Sequence, residues 1–287
     1  MLHERAMLVK LNISQWTGRK KDKRSTMETN SFYGAAPCSG YYSKSLIGKE
    51  AVKSIQQAVN LTRKFHYENT LPWGDNGERL LPSRNYFDYT QRMREFNTEF
   101  DNVVKKFLEV YPSLITEAEY KLNKMFNSAD YPDVIEIQRR FNFATEITPV
   151  PSGTDFRVDL AQDQVDAIRQ QIEMQARKAQ SVAMNDLWNR LYDAVHKMAD
   201  KLDDKDAIFR DSLVENIRNL TLILPKLNVT DDPALERMRK DVEEKLCRFS
   251  PRDLRADPRT KQSVANEANA ILEVMGCYMG SQAREAA

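Results

Sequence analysis

The 287-residue chain is 30% charged and 41% hydrophobic, with 9 Gly, 11 Pro and a formal net charge of +1. That balance favours long solvated helices over a loop-rich β protein, and the periodic apolar stripes described below exclude full disorder. No stretch reaches the roughly 18 apolar residues of a membrane span, and Met1–Lys10 lacks a signal-peptide pattern, so a cytoplasmic protein without a membrane role is expected.

Cys38, Cys247 and Cys277 are odd in number and far apart, which points to free thiols rather than a disulfide framework. The charge is uneven. Residues 1–24 hold seven Lys/Arg against Glu4 and Asp22, a net +5 that leaves −4 for the remainder.

Val9, Leu11 and Ile13 alternate and predict a short strand over Leu8–Ser14. Residues 1–45 otherwise read as a basic, partly irregular segment, because the Ser/Gly/Tyr-rich chain after Arg19–Arg24 has neither helical nor strand period. A helix over Lys49–Tyr67 ends where Pro72-Trp-Gly-Asp-Asn-Gly77 supplies turn geometry. Pro82-Ser83 opens the clearest element. Tyr86, Tyr89, Met93, Phe96, Phe100, Val103, Phe107 and Val110 alternate spacings of three and four, a heptad seam that calls for a partner helix. Pro112 is expected to kink or restart this helix, which Leu114, Ala118, Leu122 and Met125 carry to about Phe126.

A short helix is expected from Tyr131-Pro132. Phe141, Phe143, Thr145 and Ile147, then Phe156, Val158 and Leu160, alternate around Pro149–Gly153 and predict a β-hairpin over 141–160. Asp159 with Gln162 resembles a capping box opening a second long helix to about Leu202, whose stripe runs from Val165 through Leu187 and Leu191. Phe209, Leu213, Ile217, Leu220 and Leu224 form another stripe, and Asp232-Pro233 and Asp257-Pro258 start two further helices, the last ending at Gly280. The expected fold is mainly α. A long antiparallel, coiled-coil-like stalk over 46–204 carries the hairpin at its tip, a C-terminal helical bundle over 205–280 packs on the stalk base, and 281–287 form a tail.

Signatures of chemistry are missing. None of the nine glycines forms a GxxxxGK[ST] or GxGxxG arrangement, no HExxH, CxxC or GxSxG occurs, and His3, His66 and His196 are isolated. Asp203-Asp204 and Asp231-Asp232 fall at helix ends, where capping accounts for them. The expectation is no catalytic residue, no metal site and no cofactor.

Two segments stand out as contact candidates. Trp16, Arg19, Lys20, Lys21, Lys23 and Arg24, with Phe32, Tyr33, Tyr41 and Tyr42 nearby, combine cations suited to phosphates with rings suited to bases; the competing reading is a solvated basic turn. Phe65, His66, Tyr67, Trp73 and Asp75 form an aromatic, polar loop that either presents a surface to a protein partner or caps a helix pair.

Asn12-Ile-Ser-Gln-Trp-Thr17, Phe65-His-Tyr-Glu-Asn-Thr-Leu-Pro-Trp-Gly-Asp75, Asp130-Tyr-Pro132, Asp155-Phe-Arg-Val-Asp159 and Phe209-Arg-Asp-Ser-Leu-Val-Glu-Asn216 resemble an uncharacterised bacterial and phage domain family. The likeness spans about Met7 to Met279. Members are often encoded on phages and mobile elements near a MoxR-like or cobalt-chelatase-like AAA+ ATPase and a von Willebrand A-type protein. The resemblance carries no catalytic residues. It implies a non-catalytic helical adaptor whose partner is the AAA+ ATPase, the von Willebrand A-type protein or a host factor. The alternative is a nucleic-acid-binding accessory in phage or mobile-element DNA metabolism. Homo-oligomers are compatible with both.

Overall fold

A computed structural model describes residues 2–155, 158, 161–204 and 210–285, with Asp155 and residues 279–285 described by backbone alone. In chain order the first elements are α1 (Leu2–Arg5), β1 (Ala6–Ser14), β2 (Arg19–Lys21), α2 (Lys23–Phe32), β3 (Ser43–Ser45), α3 (Lys53–Glu68), β4 (Leu71–Pro72) and β5 (Glu78–Pro82). Then follow α4 (Tyr86–Leu122), α5 (Val134–Gln138), β6 (Asn142–Pro149), α6 (Gln162–Asp203), α7 (Ser212–Leu227), α8 (Pro233–Leu246), α9 (Pro251–Ala256) and α10 (Pro258–Glu285). The fold is mainly α, with a four-stranded sheet of order β4-β5-β1-β6 and a separate β2-β3 pair. The chain divides into two compact units, one comprising Met1–Lys10, Tyr67–Phe87 and Ile147–Ala287, the other Leu11–His66 and Asp88–Glu146.

In the first unit α6 is the central helix. Its 42 residues contain neither Gly nor Pro, so nothing interrupts the backbone ladder. Ala183, Leu187, Leu191, Val195, Met198 and Leu202 are buried along one stripe, and α10, α7 and α8 pack on the helix. Ala183 on α6 and Ala265 and Ala268 on α10 are fully buried, and their small side chains let helices pack closely. Trp188 is buried, stacks on Tyr278 at 5.9 Å and donates its indole N–H to Asp232 at 3.2 Å. The other oxygen of that carboxylate caps α8 by accepting from the Ala234 and Leu235 N–H groups, with Pro233 at the first helical position as expected.

The 72–77 turn proves to be the tip of a hairpin. β4 pairs with β5 and β5 with the first half of β1, both antiparallel, with Leu80 opposite both Leu71 and Leu8. All three leucines belong to the core that holds Trp188. These strands are only two and five residues long, too short to show a period of two, and pairing with β1 decides their conformation.

In the second unit α4 spans 37 residues and passes through Pro112 without ending. Its buried positions are Tyr89, Met93, Phe96, Phe100, Val104, Phe107, Tyr111 and Ala118, whereas Val103 is only half-buried and Val110 is exposed. The heptad expectation therefore holds for the first three turns and then drifts. Spacings of 4, 3, 4, 4, 3 and 4 from Tyr89 to Tyr111 follow the 3.6-residue period of a straight helix, not the 3.5 of a supercoiled seam. The cover is local. Phe65 of α3 lies 5.8 Å from Tyr89 and 5.5 Å from Phe96, Phe143 lies 5.8 Å from Phe100, and Trp16 and Phe141 lie 6.1 and 5.7 Å from Phe107. Each long helix thus has residues of its apolar stripe covered by elements of its own unit.

Further expectations need correction. β6 is a strand, but it neighbours β1 in the sheet, and Asn12 donates to Glu146 at 3.1 Å. Of the expected second hairpin limb, Phe156 and Leu160 lie outside the described residues, and Val158 is exposed and non-strand. Asp159 is likewise outside them, and the N-cap of α6 is Ala161, which has no side-chain cap. Phe209 also falls outside. α10 continues through Gly280 to Glu285, since one helical glycine costs only about 1 kcal/mol.

Candidate functional site

The segment expected to be irregular is an ordered module of the second unit. β2 and β3 pair antiparallel, with Lys20 opposite Lys44 and Lys21 opposite Ser43. Asp22 ends β2 and caps α2, accepting from the Ser25 N–H at 2.9 Å. The chain then returns alongside the helix. Thr26 Oγ1 accepts the Tyr42 N–H at 2.9 Å, and the Asp22 N–H donates to the Tyr42 carbonyl at 2.9 Å.

Beneath this module lies a balanced charge cluster. The Lys44 ammonium, 5% exposed, lies 2.7 Å from Asp130, 3.0 Å from Asp22 and 2.9 Å from the Met125 carbonyl. Lys20 binds the other Asp130 oxygen at 2.6 Å. The Ser25 backbone bond, then Lys44, holds the Asp22 carboxyl down at about 2. Burial pushes Asp130 up, but its bonds to Lys20 and Lys44 outweigh that and keep it below the usual carboxylate range. Burial likewise opposes the Lys44 charge, and the two carboxylates prevail to raise it.

The outer surface of the module is aromatic and basic. Phe32 is 82% exposed, Tyr33 75%, Tyr41 63% and Tyr42 42%, with Met27 also exposed. Phe32 and Tyr33 meet edge to face at 5.0 Å, and the Lys21 ammonium sits 4.5 Å from the centre of the Tyr41 ring. Arg19, Lys21, Lys23 and Arg24 are exposed, Arg24 pairing with Glu28 at 2.9 Å. Two members of the proposed basic set differ. Trp16 is 7% exposed, packed on Phe107 and edge-on to Tyr111 at 5.7 Å, so it is a core residue unavailable for stacking. Lys20 is engaged by Asp130.

The second candidate set is divided between the units. Phe65 is half-buried against α4, and His66 is buried with its Nδ1 2.8 Å from the Tyr89 hydroxyl. In the other unit, Tyr67 is exposed with the Arg79 guanidinium 4.8 Å from its ring centre, Asp75 is exposed, and Trp73 is half-buried against the core. His66 is buried and Phe65 and Trp73 are half-buried, so only Tyr67 and Asp75 of the five are exposed. The Lys44–Asp130 pairing escaped the sequence reading, because isolated charges 86 positions apart carry no pattern.

Among the described residues, no group of three or more His, Cys, Asp or Glu side chains is placed to hold a metal, and no helix is long and apolar enough to cross a membrane. His196 is half-exposed and pairs with Asp200 at 2.9 Å. All three cysteines are free, and burial pushes the Cys247 thiol up to about 11, away from reactivity. Compared with protein-family models, with curated proteins and with solved structures, the chain matches none.

Proposed function

We propose that the chain is a non-catalytic helical adaptor whose contact surface is the module of residues 19–45, with the helical units as scaffold. The observation supporting this is the exposure of Phe32, Tyr33, Tyr41 and Tyr42 within one short ordered module. Exposed aromatic area of this kind marks an interaction site, and the chain bearing it is fastened by the buried Lys44–Asp130 pair. The resemblance noted in the sequence adds a setting, a phage or mobile element, and a AAA+ ATPase or von Willebrand A-type protein as candidate partners.

Site-specific photo-cross-linking in cells tests the surface. A cross-linking residue at position 32 or 41 is expected to give adducts, and one at position 120, exposed on α4, is not. Adducts arising only from positions 67 or 75 would contradict the assignment.

A further inference from the structure

We infer that this surface binds single-stranded nucleic acid, an inference that rests on the module being the contact surface. Residues 19–45 contain six Lys/Arg against two acidic residues, a net +4 on a chain of net +1. The module folds so that part of this charge is paired and part is not. Buried Lys44 and half-exposed Lys20 neutralise Asp22 and Asp130, while Arg19, Lys21 and Lys23 have no ion-pair partner among the described residues. Strand alternation sets Arg19 and Lys21 on the face opposite Lys20, two residues and about 6.6 Å apart. That interval is comparable to the repeat of an extended polynucleotide backbone, so successive phosphates can meet successive cations.

The rings decide between single strand and duplex. Phe32 and Tyr33 close α2, and Tyr41 and Tyr42 lie on the returning chain that hydrogen-bonds to α2 through Thr26. Four exposed rings and three available cations in one module, with Lys21 over the Tyr41 ring, are what unpaired bases need, because each base presents a face for stacking while its phosphate meets a charge. A duplex hides those faces and would use only the cations. Glu28 and Met27, exposed on α2, also give a duplex backbone nothing to bind.

Fluorescence anisotropy of the full chain tests this, with labelled oligodeoxythymidine and oligouridine of about 20 nucleotides and a duplex of equal length. Single strands are expected to bind more tightly than duplex, and the two sugars separate DNA from RNA. Replacing Arg19, Lys21 and Lys23 with Ser should flatten the log–log salt slope by about two units. Replacing Phe32, Tyr33 and Tyr41 with Ser should weaken binding about tenfold or more at fixed salt, leaving the slope unchanged. No single-strand binding at low salt, tighter duplex binding, or indifference to the ring substitutions would overturn the inference. If oligonucleotides fail while positions 32 and 41 cross-link to a protein, the contact surface stands and its nucleic-acid ligand does not. If both fail, both readings fall.

Discussion

The Lys44 ammonium lies 2.7 Å from the Asp130 carboxylate, and the two side chains are only 5% and 6% exposed. This pair fastens β3 to the turn before α5, with Asp22 and Lys20 completing the charge balance. Lys44→Met leaves Asp22 without its buried cation and Asp130 with Lys20 alone. The expected loss is about 3 kcal/mol, as for other buried pairs broken from one side. Urea denaturation measures it, and a loss below about 0.5 kcal/mol would mean that the cluster does not fasten the module.

The same cluster sets an acid limit. Asp22 and Asp130 are held below the ordinary carboxylate range in the folded chain, so their contribution is complete above the unfolded value of about 4. It falls as pH drops through the folded value, about 2 for Asp22. Lys44 acts in the opposite sense, its raised pKa keeping its contribution intact below the unfolded lysine value and losing it only in strong base. Hydrogen exchange is expected to show residues 19–45 opening first as pH falls from about 4 towards 2. Opening of α3 ahead of this module would contradict it.

His66 and Tyr89 link α3 to α4 through a buried bond of 2.8 Å. Tyr89→Phe keeps the ring and removes the hydroxyl, so a loss of about 1–2 kcal/mol is expected in chemical denaturation. An unchanged midpoint would show that the bond adds no net stability.

Spacing made α4 and α6 legible, because long amphipathic helices repeat their apolar positions often enough to outweigh any single residue. It could not tell a supercoiled seam from a straight helix. Val103 and Val110 look as apolar as Val104 and Tyr111, and only the packing of Trp16, Phe141 and Phe143 selects the latter pair. The short strands β2, β3 and β4 have two or three residues each and no readable period. The basic residues of the candidate site were legible as a run, but their sorting was not. Trp16 belongs to the interior because of Tyr111, and exposed Lys20 is paired with Asp130, both partners about a hundred positions away.

Leu191 is fully buried on α6 within the core that holds Trp188. Leu191→Asp combines a cavity with an unpaired buried charge, so a loss of about 4 kcal/mol or more is expected. Denaturation midpoints measure it, and a loss under about 1 kcal/mol would place that face outside the core.

The adaptor account stands or falls on which aromatic residues serve contact and which serve folding. The most direct measurement compares Phe32→Ser/Tyr33→Ser/Tyr41→Ser with Trp73→Ala, reading melting temperature and retention of the cross-linked partner or oligonucleotide together. Phe32, Tyr33 and Tyr41 are 82%, 75% and 63% exposed, so the triple variant should melt within about 2 °C of the parent yet lose its ligand. Trp73, packed on the core, should instead lower the melting temperature by about 4–8 °C and retain the ligand while folded. A triple variant that keeps its ligand, beside a Trp73→Ala chain that folds normally and loses it, would contradict the account.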